Sequence, residues 1–518
     1  MISRTIADLP FDAARRHGDR PALRYLHDGA TWRDQSFAEL AATVDAIARG
    51  LVDSGVAPGD RVCILGQTCP EWTQLALGVT AAGGVVVPIY PTSSDSEREW
   101  IVSNSGAKTT LHPDASTVEA LVAAGRVGDF DEELRRRRAA VDPADPCLII
   151  YTSGTTGPPK GCVLTHGNWL AVCRFTEELS YLTAQDVVYL FLPLAHVFAQ
   201  LVQFGCLYAG STLAYFGGDV RRVIPELAEV RPTFLPSVPR IFEKLYTALA
   251  GRADAATVRA VLGGRLRLAL SGAAPIAPDV LEFFRDAGAP VVEGFGMTES
   301  TGCGTVSTIA RHRIGTVGVA APGTSIRIAE DGEILMAGPH VFAGYWQDPQ
   351  ATRETLVDGW LHTGDLGTID ADGFVTITGR KKDIIITSTG KNIAPAELEN
   401  QLRQSRWISQ ALLHGDRRPY PVALITLDLE EILPWARELG LPEDPAALAG
   451  HPRVRELVQS VVDEANTRVS QPARIKRFAV LAQDFTVESG ELTPTLKIKR
   501  AFAYANHAAV LEELYAPR

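Results

Sequence analysis

The chain lacks the features that would assign it to several large classes of proteins. Its 518 residues contain no apolar run that could cross a membrane, because the longest weakly charged stretch, 72–94, is broken by Gly83, Gly84 and Pro88. The start of the chain, 1–15, has no apolar segment typical of a secretory signal. The seven cysteines are scattered and form no Cys-x-x-Cys pair, which is typical of reduced thiols. We therefore expect a cytoplasmic protein with no transmembrane segment, for which peripheral contact with a membrane stays open.

Positive charge is also scarce. The 61 acidic residues outnumber the 50 basic ones and give a formal charge of -11, which argues against a nucleic-acid partner. Only nine of the basic residues are lysines, and six of these nine lie in the motifs described below. Because arginine is a broad planar fork and lysine a compact ammonium on a slim stem, a lysine kept against this background is a candidate point charge.

Short apolar strands alternate with amphipathic helices in the first half of the chain, which predicts an α/β fold with largely parallel sheets. Farther along, Asp331-Gly332, Asp358-Gly359 and Asp372-Gly373 separate short alternating strands, which predicts hairpins in a small β-barrel-like part. The predicted strands of the first kind are 61–65, 85–89, 147–151, 187–192, 233–235, 266–270 and 291–293.

The pattern changes again after the run Gly379-Arg380-Lys381-Lys382. A helix is predicted to begin at Pro395, and two strands and two further helices follow it. These elements are predicted at 409–413, 422–427, 454–469 and 500–515. We therefore predict a large N-terminal domain, 1–381, and a small mobile α+β C-terminal domain, 382–518.

The strongest motif is a loop of glycines and hydroxyl side chains that follows the apolar strand ending at Tyr151. Glycines let backbone N–H groups approach phosphate oxygens, hydroxyls add donors, and a lysine supplies charge. Pro159 stands where a Walker A loop needs glycine, and the next helix is predicted only near Thr165. The candidate phosphate-binding residues are Thr152, Ser153, Gly154, Thr155, Thr156, Gly157 and Lys160.

The loop resembles the phosphate-binding motif of the AMP-forming acyl- and aryl-CoA synthetases, and four further motifs follow in the order of that family. They are Gly294-Phe-Gly-Met-Thr-Glu299, Trp360-Leu-His-Thr-Gly-Asp365, Gly379-Arg-Lys-Lys-Asp383 and Thr493-Pro-Thr-Leu-Lys497 with Ile-Lys-Arg500 after it. The segments 193–198 and 390–395 are similar to the long-chain fatty-acid–CoA ligase branch in particular. This resemblance covers nearly the whole chain. It implies an enzyme that forms acyl-AMP and pyrophosphate and then exchanges AMP for coenzyme A.

The resemblance assigns a group of residues to ATP. Glu299 would bind Mg²⁺, a hard cation suited to a carboxylate. Phe295 would stack on adenine, and Asp365 and Arg380 would bind the ribose hydroxyls. Besides the phosphate loop, the residues assigned to ATP are Gly272, Ala273, Ala274, Gly294, Phe295, Gly296, Thr298, Asp365, Arg380 and Lys497.

The predicted catalytic residues are Lys497, Thr298, Glu299 and His196. Lys497 would lie between the substrate carboxylate and the ATP oxygen near the ribose, and its charge would offset their repulsion. Thr298 would contact the α-phosphate. His196 would lie beside the acyl group and would not act as a base, since a fatty carboxylate is already ionised at neutral pH. Candidates for the acyl site are His196, Phe198, Val202, Phe204, Gly272, Gly302 and Cys303.

For the second half-reaction, the resemblance assigns Gly390, Lys391 and Asn392 to the coenzyme A step and Lys382 to a hinge. The cofactors would be ATP and Mg²⁺, with coenzyme A as co-substrate. The partner would be a small carboxylic acid, of medium or long chain or similarly hydrophobic. The segments 108–151 and 244–271 are shorter than expected of long-chain members, so the chain length stays open.

Two alternatives remain. The enzyme could stop at acyl-AMP or hand the acyl group to an acyl carrier protein. A non-catalytic acyl- or nucleotide-binding relative is the second alternative, and such a protein would be expected to have lost Lys160, Glu299 or Lys497, all of which are present.

Overall fold

The computed structural model describes residues 3–152, 158–493 and 497–516. In these ranges the strands are β1 (Pro21–His27), β2 (Thr31–Ser36), β3 (Arg61–Leu65), β4 (Val85–Ile89), β5 (Thr109–Leu111), β6 (Pro146–Thr152), β7 (Lys160–Thr165), β8 (Val187–Leu190), β9 (Thr212–Tyr215), β10 (Phe234–Ser237), β11 (Leu268–Ser271), β12 (Val291–Phe295), β13 (Thr305–Val306), β14 (Val319–Ala320), β15 (Ser325–Ile328), β16 (Glu333–Ala337), β17 (Gly344–Tyr345), β18 (Leu356–Val357), β19 (Trp360–Ile369), β20 (Val375–Arg380), β21 (Ile385–Ile386), β22 (Asn392–Ile393), β23 (Ile408–His414), β24 (Val422–Leu427) and β25 (Arg477–Val480).

The α-helices of the same ranges are α1 (Leu9–His17), α2 (Phe37–Asp53), α3 (Pro70–Ala81), α4 (Asp95–Ser105), α5 (Ala115–Ala124), α6 (Asp131–Ala140), α7 (His166–Glu178), α8 (Val197–Ala209), α9 (Val223–Val230), α10 (Pro239–Leu249), α11 (Ala255–Val261), α12 (Pro278–Asp286), α13 (Pro349–Thr355), α14 (Pro395–Arg403), α15 (Leu429–Glu438), α16 (Pro445–Gly450), α17 (Pro452–Thr467), α18 (Arg500–Asn506) and α19 (Ala508–Tyr515). Short 3-10 helices lie at Val220–Arg222, Thr298–Ser300, Lys381–Asp383 and Gln471–Ala473.

Two large sheets carry the first part of the chain. One has the strand order β14-β13-β12-β11-β10-β8-β9-β1-β2 and is parallel from β12 to β1. The other has the order β17-β7-β6-β4-β3-β5 and is parallel from β6 to β5. Side chains of α2, α3, α7 and α8 join both sheets in one apolar core, to which Val44, Leu75, Trp169 and Phe204 belong. Ligand sites in such folds lie beyond the carboxyl ends of parallel strands, and β8, β11 and β12 lead to the predicted motifs.

A third sheet has the order β15-β16-β19-β18, with β20 beside β19, and all its pairs are antiparallel. The three Asp-Gly pairs lie at its turns, as the sequence predicts. Asp358 and Gly359, between β18 and β19, both have positive φ angles, 51° and 80°. This backbone matches the twist of the flanking strands, which is why Asp-Gly is favoured there.

The last part of the chain forms a separate α+β unit. It consists of the sheet β23-β24-β25, the hairpin β21-β22 and the helices from α14 onwards. Among the described residues, no apolar cluster contains side chains from both sides of residue 381. The predicted α/β fold class with a C-terminal α+β part is confirmed, and the boundary at 381 stays a prediction.

Two details differ from the expectations. The strand β7, which pairs antiparallel with β6, is not predicted, because its apolar run begins inside the phosphate-loop motif. The helix expected at 500–515 is divided into α18 and α19 at His507. Within the described ranges, no helix combines the length and apolar character that a membrane span requires.

Candidate functional site

The phosphate loop connects the two strands of a hairpin. Thr152 at the end of β6 lies opposite Lys160 at the start of β7, so the strands fix both ends of the loop. The predicted residues Ser153, Gly154, Thr155, Thr156 and Gly157 lie outside the described residues. The Lys160 ammonium lies 3.9 Å from the Asp348 carboxylate and 5.3 Å from the centre of the Tyr345 ring. It is half-exposed, which leaves it accessible to an anion.

Glu299, the predicted Mg²⁺ ligand, is held from two sides. Its backbone carbonyl accepts a hydrogen bond from Phe342 N, and Tyr345 Oη donates to its carboxylate at 2.7 Å. The strand β17 pairs with β7 and places Tyr345 opposite Cys162. Tyr345 therefore contacts both the Glu299 carboxylate, through its hydroxyl, and the Lys160 ammonium, through its ring. A single buried carboxylate fits Mg²⁺, which proteins commonly bind through one or two carboxylates together with substrate phosphates.

The turn after β12 brings the predicted adenine motif, 294–299, against Gly302 of the predicted acyl site. A Cβ on Gly296 would lie 2.4 Å from the carbonyl carbon of Gly302, so only glycine permits this approach of two backbones. Gly302 itself has a φ of 77°. Thr298, in the 3-10 helix between them, is buried. The structure thus brings Gly294, Phe295, Gly296, Thr298, Glu299, Gly302 and Cys303 together at one edge.

The proposed ribose residues face each other across two strands. Asp365 on β19 is the direct partner of Arg380 on β20, and Arg380 Nε donates to Asp365 Oδ1 at 2.8 Å. The other carboxylate oxygen, Oδ2, is buried and has no hydrogen-bond partner among the described residues. Burial raises the pKa of Asp365, and Arg380 partly counteracts the rise. A buried acceptor without a donor destabilises the protein, and a ligand hydroxyl would satisfy it.

Lys497 comes from the C-terminal part of the chain and reaches this same place. Loss of hydration lowers the pKa of its ammonium, and the positive charge of Arg380 lowers this pKa further. The negative charges of Asp365 and Glu299 oppose the shift. Its charge therefore acts on the predicted ribose and Mg²⁺ residues at once. Over a hundred residues separate Lys497 from Asp365, so their proximity is a property of the folded chain.

His196, a predicted acyl-site residue, lies directly before the first residue of α8. Its Nδ1 accepts a hydrogen bond from Phe198 N at 3.2 Å and caps the helix. Burial lowers the pKa of His196 to about 3, with a contribution from Lys497. The imidazole is therefore neutral at pH 7, and Nε2 carries its proton because Nδ1 is an acceptor.

The other acyl candidates divide into two groups. A Cβ on Gly272 would lie 3.4 Å from the Phe198 ring, and Gly302 approaches Val197 and Leu201 in the same way, so these residues meet near the start of α8. Phe204 instead packs on Trp169 of α7, with 5.0 Å between the ring centres, and Val202 is buried in the shared core. Ala273 and Ala274 are exposed beyond β11, and Ala273 has a φ of 70°.

The residues predicted for the coenzyme A step lie elsewhere. Gly390, with a φ of 77°, and Lys391 form the exposed turn between β21 and β22, at whose end Asn392 lies. Lys382 lies in a 3-10 helix next to Arg380 and is also exposed. The structure therefore places Lys497 near the predicted ATP residues, while the 390–392 turn is exposed at the tip of a hairpin.

Three residues of this region are missing from the sequence-based prediction: Tyr345, Trp100 and Glu97. Trp100 Nε1 donates to the carbonyl of Pro159 at 3.0 Å, and Glu97 forms an ion pair with Lys499. The run Gly344-Tyr345-Trp346 is a visible aromatic signal, but its partner is known only from the pairing of β17 with β7.

This arrangement is that of a two-part adenylate-forming enzyme, in which a C-terminal lysine meets a nucleotide site on a larger α/β part. The chain belongs to the AMP-binding enzyme family. Residues 11–346 match the family model described as AMP-binding enzyme, and residues 382–518 match that of the AMP-binding enzyme C-terminal domain. The predicted family is thereby confirmed.

Two curated relatives illustrate the match. The chain is 38% identical to long-chain-fatty-acid–CoA ligase FadD15 of Mycobacterium bovis, over 98% of this chain and 97% of that protein. It is 31% identical to the peroxisomal long chain acyl-CoA synthetase 7 of Arabidopsis thaliana, over 93% of this chain and 81% of that protein.

Solved structures agree in fold. The adenylation domain of a carboxylate reductase from Mycobacterium chelonae superposes with a TM-score of 0.78 at 22% identity, covering 99% of this chain and 91% of that chain. An o-succinylbenzoate CoA synthetase from Bacillus subtilis, in complex with its acyl-adenylate intermediate, gives 0.75 at 23% identity, with coverages of 95% and 97%.

Proposed function

We propose that the protein is an ATP-dependent carboxylate–CoA ligase that forms acyl-AMP and pyrophosphate and then acyl-CoA and AMP. The observation that carries this proposal is the position of Lys497, whose charge acts on Asp365, Arg380 and Glu299. The names of the relatives support a long-chain fatty acid as the substrate. A cytoplasmic location is part of the same proposal, and the seven free thiols support it.

In the first half-reaction, the chain would hold two anions that repel each other. The phosphate loop with Lys160 would bind the β- and γ-phosphates, and Thr298 would contact the α-phosphate. Lys497 would lie between the carboxylate and the nucleotide, where a fixed ammonium stabilises the charge that develops. Glu299, oriented by Tyr345, would hold Mg²⁺, which supplies charge neutralisation on the phosphates.

The nucleoside would occupy the edge formed by β11, β12 and β19. The unpartnered Oδ2 of Asp365 supports the ribose assignment, since it needs a hydroxyl donor. Phe295 would stack on adenine, and the region of Gly272 to Ala274 would form the opposite wall. The close approach of Gly296 to Gly302 would place the α-phosphate beside the acyl site.

The acyl group would enter beside α8. The Phe198 ring lies near Gly272, and Val197 and Leu201 lie near Gly302, which supports an apolar wall there. His196 would bound this wall as a neutral, hydrogen-bonded cap and would donate through Nε2. Val202 and Phe204 would support α8 from the core side.

The second half-reaction would require a rotation of the C-terminal domain, 382–518. Lys381 forms ion pairs with Asp331 and Glu333 on the large part, whereas Asp383 pairs with Arg500 on the small part. Lys382 lies between these two anchors, which supports its assignment as the hinge. Rotation there would withdraw Lys497 and bring Gly390, Lys391 and Asn392 to the acyl-AMP.

The test is carboxylate-dependent ATP–pyrophosphate exchange on a panel of straight-chain, branched and cyclic acids, followed by addition of coenzyme A and mass detection of the thioester. We expect exchange with hydrophobic acids and a thioester product. Exchange without thioester would favour transfer to a carrier protein or release of acyl-AMP. Absence of exchange with every acid would contradict the proposal.

A further inference from the structure

Helix α4 contacts two parts of the ATP machinery. It begins after Ser94, whose Oγ accepts a hydrogen bond from Glu97 N at 3.2 Å. Glu97 and Trp100 are three residues apart and therefore lie on the same face of the helix. Trp100 donates to the carbonyl of Pro159, next to Lys160, and Glu97 lies 3.4 Å from the Lys499 ammonium.

The contact between Glu97 and Lys499 joins the two parts of the protein. Both side chains are largely shielded from solvent, with 17% and 19% of their surfaces exposed. Glu97 lies in the first turn of its helix, where a carboxylate is favoured. Lys499 lies two residues after Lys497, directly before α18.

The backbone hydrogen bonds around Lys497 link its position to that of Lys499. Thr493 N donates to Lys497 O at 2.8 Å and Lys499 N donates to Glu491 O at 2.7 Å, so the segment 497–499 is extended against 491–493. In an extended segment, side chains two residues apart point to the same side. Lys497 and Lys499 therefore face the large part together, and a fixed Lys499 limits where the Lys497 ammonium can lie.

We propose that Glu97 is a positioning residue that seats Lys497 for adenylation through its ion pair with Lys499. This inference rests on the proposed function. Because Trp100 on the same helix face holds the end of the phosphate loop, α4 aligns the catalytic lysine and the phosphate site relative to each other. Glu97 touches no reacting atom; it acts through Lys499.

The contact belongs to one pose only. Lys499 moves with Lys497 in any rotation about Lys382, whereas Glu97 stays with the large part. Loss of the Glu97 charge therefore weakens the first half-reaction and leaves the second unaffected. It also leaves Lys499 as a shielded ammonium without its carboxylate partner, two residues from Lys497, which disfavours the adenylation pose.

The experiment compares Glu97→Gln with Glu99→Gln, which removes the same charge from an exposed position of the same helix. Pyrophosphate exchange is measured with the acid that gives the highest wild-type rate, and thioester formation is measured from supplied acyl-AMP and coenzyme A. We expect Glu97→Gln to lower the kcat of exchange by about 10-fold or more, with thioester formation within about twofold of wild type. Glu99→Gln should leave both rates within about twofold.

A charge exchange provides the second arm. Glu97→Lys combined with Lys499→Glu restores the pair in reverse and should recover much of the exchange rate that either single variant loses. Equal exchange rates for Glu97→Gln and Glu99→Gln, or an equal loss of both half-reactions, would overturn the inference while the proposed function stands. If the wild type shows no exchange with any acid, the proposed function fails, and the inference fails with it.

Discussion

Glu293 offers a test of the electrostatics beneath the adenine motif. It lies on β12, two residues before Phe295, and its carboxyl is buried with Oε2 unpartnered among the described residues. Burial raises the pKa of Glu293 from 4.5 to about 8. The folded protein therefore keeps this proton at a pH where the unfolded chain has lost it, so Glu293 lowers the free energy of unfolding as the pH rises from 4.5 towards 8.

The expected size follows from the shift. At pH 8 the penalty is on the order of 4 kcal/mol, whereas at pH 5 it is below about 1 kcal/mol. Glu293→Gln keeps the shape and removes the titration, so the variant should gain stability over wild type between these two pH values. With an unfolding entropy of about 0.8 kcal/mol/K for roughly 380 residues, the gain corresponds to about 5 °C in Tm.

The assay is thermal unfolding of wild type and Glu293→Gln from pH 5 to pH 8 without nucleotide. Glu282→Gln, an exposed carboxylate on α12, serves as the control and should shift Tm by a small amount that does not depend on pH. If the difference in Tm between Glu293→Gln and wild type is the same at pH 5 and pH 8, the carboxyl is ionised in the folded protein and the reasoning is wrong.

Four further predictions concern the two half-reactions. Lys497→Ala should slow pyrophosphate exchange by about 10²–10³-fold, while supplied acyl-AMP still reacts with coenzyme A; equal loss in both assays would contradict the role of Lys497. Asp365→Asn should raise the KM for ATP by about 10-fold or more, because the carboxylate binds Arg380 and would accept a hydrogen bond from a ribose hydroxyl. An unchanged KM would contradict the assignment of Asp365 to the ribose. Tyr345→Phe should raise the Mg²⁺ concentration needed for half-maximal exchange by about 10-fold, and direct titration of nucleotide-dependent Mn²⁺ binding should show the same shift. Lys382→Pro should leave acyl-AMP formation largely intact and lower thioester formation by at least about 10-fold, since proline fixes φ; a parallel fall of both rates with Tm would indicate a structural effect only.

Local signals account for the parts of the structure that the sequence predicts well. The strands β3, β4 and β24 have the bounds that their apolar runs predict, and the Asp-Gly pairs mark hairpin turns because the left-handed backbone favours those residues. The ATP motifs predict which residue types the site contains. In each case the physical cause lies within a few neighbouring residues.

The parts that sequence analysis misses depend on distant partners. Tyr345 reaches Glu299 only because β17 pairs with β7, and Trp100 of α4 reaches the carbonyl of Pro159, which is 59 residues farther along the chain. The unpartnered Oδ2 of Asp365 depends on how Arg380 approaches from the neighbouring strand. Similarly, Phe204 is an acyl-site candidate in the sequence because it is apolar and close to His196, but its contact with Trp169 places it in the core. No spacing within one segment encodes these contacts.

The interface between the two parts explains why one chain can serve two steps. In the part of the chain that the structure describes, no apolar cluster crosses residue 381, so little hydrophobic area opposes separation. Among the described residues, the ion pairs across the interface are Arg240–Asp428, Lys244–Glu430 and Lys499–Glu97. Both members of the second pair are exposed, Arg240 of the first pair is half-exposed, and both members of the third pair are shielded.

Exposed ion pairs stabilise by about 0–1 kcal/mol each, and interfaces of this polar kind permit relative motion of domains. The shielded contact of Lys499 with Glu97 is therefore the one expected to favour the adenylation pose most. If the proposed rotation about Lys382 takes place, every turnover breaks this pair before coenzyme A reacts, so we expect the strength of the pair to be modest. A pair stronger than this would hold Lys497 in place and slow the thioester step, which is the reason to expect an ion pair there instead of an apolar contact.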